Sequence, residues 1–161
     1  MKPLLLLVAL ALNTCASPAQ SPLMGYPEAF RQQVATLDEG DPFEFYTAAA
    51  EHFREGRLPE AGFLAYVAQM RLRYYLATHP DEPEDGANAL FTSLHHTVGA
   101  EINAALQEDT AQFLRVLDAA IAYCEGEGGG FFPRVYDPEQ YDRLLDGLRG
   151  FRANVAEPND D

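Results

Sequence analysis

The chain has 161 residues, 47% of them hydrophobic, and a formal net charge of −14 from 25 acidic against 11 basic side chains. Such a surface repels nucleic-acid phosphates and anionic headgroups, which excludes nucleic acid as a partner and suits a basic protein. Two cysteines, Cys15 and Cys124, and four histidines leave little material for a disulfide framework or a metal centre.

The first nineteen residues, MKPLLLLVALALNTCASPA, carry a charged start, an apolar run from Leu4 to Leu12 and then small residues. That is the layout of a secretory signal peptide, and the run is too short to span a bilayer. Two cleavage routes compete. Leu12-Asn13-Thr14-Cys15 resembles a bacterial lipobox, which implies a signal of residues 1–14 and lipidation of Cys15. Ser17-Pro18-Ala19 offers small residues at −3 and −1, which implies a signal of residues 1–19. Either route predicts an exported protein, periplasmic or attached to the outer membrane, with membrane contact only through Cys15. Loss of Lys2 takes the formal charge about one unit lower and leaves about 142 residues, enough for one core. With Cys15 lipidated or removed, no intramolecular disulfide is expected, and Cys124 reads as a small buried apolar residue.

Residues 20–26 read as a tether, 27–155 as one helical domain and 156–161 as a disordered acidic tail. Helix starts are well marked. Asp41-Pro42-Phe43-Glu44 sets an acidic N-cap, a proline at the first helical position and a Glu three residues on. Asp137-Pro138-Glu139-Gln140 repeats the arrangement, Asp109 with Gln112 gives a third cap, and Tyr26-Pro27-Glu28 a weaker start. Apolar residues follow at helical spacing, as in Phe45, Ala49, Phe53 or Leu144, Leu145, Leu148, Phe151. No stretch combines strand alternation with β-branched enrichment. The pattern predicts an all-α bundle of helices over 27–37, 42–55, 59–78, 87–106, 110–124 and 138–154. Gly56 is expected to end the second helix and to let the second and third approach closely. An acidic loop at 79–86 and a glycine-rich link at 125–130 join the later helices.

Phe53-Arg54-Glu55-Gly56-Arg57-Leu58-Pro59-Glu60-Ala61, continued by Ala65 and Ala68, resembles one tetratricopeptide repeat hairpin over about residues 46–78. The resemblance implies an antiparallel helix pair and a protein-binding role. A 34-residue step onward puts Leu90 at the glycine position, and no second copy appears, so a compact bundle is expected rather than an extended solenoid.

The third helix is apolar nearly all round, which predicts a central position, yet it carries Gln69, Arg71 and Arg73 among Tyr66, Tyr74 and Tyr75. A guanidinium near a core needs a carboxylate partner. Alternatively the cluster lines a cleft for an anionic ligand or a partner's carboxylate. Both readings stand at this point.

Catalytic signals are poor. After the leader the serines are Ser21 and Ser93, neither in a GxSxG turn. His52, His79, His95 and His96 form no HExxH, and adjacent His95 and His96 diverge on a helix. Neither a catalytic residue nor a metal ligand nor a cofactor site is assigned. The residues favour an exported protein-binding or accessory module of the bacterial envelope. An immunity-type inhibitor of a toxin and an envelope hydrolase with an Arg/Tyr/His site are the alternatives.

Overall fold

Three aspartates start three helices. Asp41 Oδ1 accepts from Phe43 N at 2.8 Å, Asp109 Oδ1 from Gln112 N at 2.9 Å, and Asp137 Oδ1 from Gln140 N at 2.8 Å. Each satisfies an amide that the first helical turn leaves open. The computed structural model describes residues 21–81, 83, 86–126 and 137–157. Its helices are α1 (Glu28–Leu37), α2 (Pro42–Arg54), α3 (Leu58–Thr78), α4 (Ala87–Leu94), α5 (Ala100–Gln107), α6 (Thr110–Glu125) and α7 (Pro138–Ala156). The protein is an all-α compact bundle and not an extended solenoid. Cys15, the leader, residues 127–136 and the tail from 158 lie outside the described residues.

Helix α3 forms the axis. Residues 61–68 are buried without a break, because α2, α5, α6 and α7 all pack on it. Close approach is permitted at Gly62. A Cβ there would meet Leu106 Cδ1 and Val116 Cγ1 at 2.9 Å. The expectation that Gly56 provides this approach is corrected: nothing lies within 4 Å of a Cβ built on it. Gly56 instead has φ 76° and closes α2. Its N–H donates to Phe53 O, and the N–H of Arg57 donates to His52 O, the paired bonds of a Schellman cap.

The helix expected over 87–106 is interrupted. One π turn, His95–Gly99, joins α4 to α5. The wider turn holds an extra residue and rotates the faces on either side of it. Helix α4 has no buried residue, whereas α5 buries Ile102 and Leu106.

The packed domain also begins earlier than the tether reading placed it. Leu23 is buried in the core, and the Tyr26 ring lies 5.0 Å from Phe30 and 5.5 Å from Phe63. At the other end α7 docks on α6. Tyr141 Oη donates to Cys124 O at 2.7 Å, Arg149 pairs with Glu125 at 2.7 Å and Arg152 with Asp118 at 2.8 Å. Among the described residues no helix is long and apolar enough to cross a membrane.

Candidate functional site

Helix α3 presents its two arginines to different surroundings. Arg71 is only 4% exposed. Its Nη2 donates to Asp38 Oδ1 just beyond the end of α1, and Tyr123 Oη of α6 donates to Asp38 Oδ2. The guanidinium carbon also sits 4.3 Å from the centroid of Phe45 on α2. Hydrogen bonds, opposite charge and an aromatic face offset the desolvation of this cation. Four helices meet at one ion pair. Burial pushes the Tyr123 hydroxyl well above its ordinary range, and the bond to Asp38 adds to that.

Arg73 lies nearly opposite on the same helix and is exposed. Among the described residues it makes no ion pair. It lines a cleft of about 230 Å³ between α3, the π turn, α5 and α7. Tyr66, Gln69 and Met70 form the α3 side; His95 and Asn103 close one flank. Leu144, Gly147, Leu148 and Phe151 make the opposite wall.

Hydrogen bonds order this cleft. Tyr66 Oη donates to Asn103 Oδ1, and Gln69 Nε2 donates to His95 Nδ1 at 3.0 Å. Burial raises the Tyr66 pKa, so its hydroxyl stays protonated. Burial lowers the His95 pKa, and the nearby charges of Arg73 and His96 lower it further. The imidazole is therefore neutral at pH 7.

Of the six residues singled out on α3, the cleft brings together Tyr66, Gln69 and Arg73. Arg71 belongs to the ion pair with Asp38. Tyr74 is buried against Tyr141, ring centroids 5.4 Å apart, and its hydroxyl accepts from Asp137 N at 3.0 Å. Tyr75 stacks on His79 at 4.1 Å. Sequence reasoning missed His95 and Asn103 as members of the site. Ordinary helical spacing applied across 95–103 hides them, because the π turn shifts the register between them. Ser93 is exposed on α4 and Cys124 is buried on α6, and neither lines the cleft.

Among the described residues no carboxylate lines the cleft, and none of their His, Cys, Asp and Glu side chains gather in threes to hold a metal ion. A larger opening of about 340 Å³ lies between the N-terminal turn, α3 and α6, beside Tyr26, Pro59, Glu60 and Arg115. None of the predicted residues reaches it. The α3 cleft can thus bind through a cation, neutral donors and an apolar wall, with no acid among the described residues that line it. The chain matches no family model, no curated protein and no solved structure.

Proposed function

We propose that this chain is an exported, non-catalytic binding module of the bacterial envelope that engages a protein partner through the α3 cleft. The observation that carries this reading is the composition of the cleft. Arg73, Gln69, His95 and Asn103 face Leu144, Leu148 and Phe151, so polar recognition and apolar burial share one concave surface. Its hydroxyl is a protonated Tyr66 already bonded to Asn103, which suits recognition better than nucleophilic attack. The acidic remainder of the surface draws a basic partner from a distance, and the cleft fixes its position at contact. The leader supports export, and Cys15 supplies a lipid anchor under the lipobox reading.

Gly147 provides the test. It lines the cleft, and a Cβ built on it meets nothing within 4 Å. Gly147→Leu therefore fills the cleft without disturbing the core. Pull-down from the native envelope should recover a partner with the wild-type protein and lose it with Gly147→Leu, at an unchanged or higher melting temperature. Equal recovery by both proteins refutes the reading.

A further inference from the structure

Two hydrogen bonds inside the α3 cleft decide what its remaining polar atoms offer. An amide nitrogen only donates, so His95 Nδ1 accepts from Gln69 Nε2 at 3.0 Å. The neutral ring then carries its proton on Nε2, which is a donor. Asn103 Oδ1 is occupied as an acceptor by the Tyr66 hydroxyl, while Asn103 Nδ2 keeps two N–H groups. Arg73 adds a guanidinium, which has donors and no acceptor. These bonds use the Tyr66 hydroxyl proton and one Gln69 N–H along with two acceptors; His95 Nε2, Asn103 Nδ2 and Arg73 remain as donors, beside the Gln69 carbonyl oxygen, opposite the apolar α7 wall.

Resting on the binding-module reading above, we propose that this cleft takes one carboxylate carried on an apolar body about the size of an aromatic side chain. A single guanidinium matches a carboxylate with two parallel N–H bonds. The neutral donors of His95 and Asn103 add to it without adding charge. A phosphate dianion would bring a second negative charge to a protein of net charge −14 and meet the same single cation. An apolar cavity of about 150 Å³ holds one benzene ring. The cleft volume of about 230 Å³ therefore fits one ring or branched side chain with its carboxylate attached. This chemistry has two sources, the C-terminal residue of a polypeptide and a free small organic acid.

The test is a titration of the purified, 15N-labelled protein with 3-phenylpropionate, 3-phenylpropionamide and N-acetylphenylalanine, read from the side-chain amide signals of Gln69 and Asn103. The acid should move both signals, and the amide should bind at least about tenfold more weakly. Arg73→Gln should weaken the acid by roughly tenfold while melting at the wild-type temperature. N-acetylphenylalanine binding more tightly than 3-phenylpropionate identifies a chain end, and the reverse order identifies a free acid. Equal binding of acid and amide overturns the proposal, as does an acid affinity that Arg73→Gln leaves unchanged or no response up to about 20 mM. Failure of the acid while Gly147→Leu still abolishes partner capture removes the carboxylate and leaves the binding module. Binding of the acid with capture unaffected by Gly147→Leu does the opposite.

Discussion

Arg71 and Arg73 stand two residues apart on one helix and do different work. Two residues turn a helix by about 200°, so one guanidinium enters the junction of α1, α2, α3 and α6 while the other reaches the α7 side. At the first, the fold supplies Asp38 and Phe45, with Tyr123 closing the far side of the carboxylate. At the second, the neighbours are Gln69 and Met70, and no carboxylate among the described residues pairs with the guanidinium. Residue type and helix burial alone do not separate a buried, ion-paired arginine from one exposed in a cleft. The direction of the side chain does.

The strongest way to break this contrast is to remove the counter-ion. Asp38→Ala removes the carboxylate that Arg71 and Tyr123 share and should cost about 3–5 kcal/mol in urea unfolding. Arg73→Met should change stability by no more than about 0.5 kcal/mol, as at other exposed sites. A comparable loss from both would erase the distinction.

Packing gives a second pair. Gly62→Ala drives a methyl against Leu106 and the stiff Val116 and should cost about 1–3 kcal/mol. Gly147→Ala, on the open side, should instead gain about 0.5–1 kcal/mol by reducing the freedom of the unfolded chain. A gain at both positions would show that the α3 core is loosely packed.

The locked side also carries a pH signature. His52 is buried, with Nε2 donating to Gln33 Oε1 at 2.8 Å and Nδ1 accepting from Arg57 Nε at 2.7 Å. Burial, then Arg57, lowers its pKa from 6.5, while Glu60, Glu55 and Glu51 oppose that shift. The unfolded chain therefore takes up the proton first. Stability from this group is complete above pH 6.5 and is lost as pH falls from there toward the lowered folded value. Urea midpoints should fall across that window, and His52→Gln should flatten the fall. An unchanged slope would place the acid sensitivity elsewhere. The smallest expected effect lies in the cleft. Because the Arg73 charge helps to lower the His95 pKa, Arg73→Met should raise it in an NMR titration. No change would separate the two side chains.

These contrasts show how far the residues alone reach. The caps at Asp41, Asp109 and Asp137 are local, so helix starts are legible from a few neighbours. The central place of α3 follows from its apolar circumference. What no local pattern holds is the partner of a side chain. Asp38 lies 33 residues from Arg71 and 85 from Tyr123. Gly62 looks like any small residue until Leu106 and Val116 arrive beside it. Three of the ten residues that line the cleft are legible on α3, Tyr66, Gln69 and Arg73. His95 and Asn103 are not, because the π turn departs from the spacing used to read faces.

Asp38 also bears on the order of events in folding. It meets Arg71 and Tyr123 across long stretches of chain, and such contacts form after the loops between them have closed. We infer from these separations that the ion pair is a late fastening that contributes little to the folding nucleus. Its strength is felt on the way out of the native state, where it slows escape without hastening entry. Slower escape lengthens the lifetime of each folded molecule against proteases.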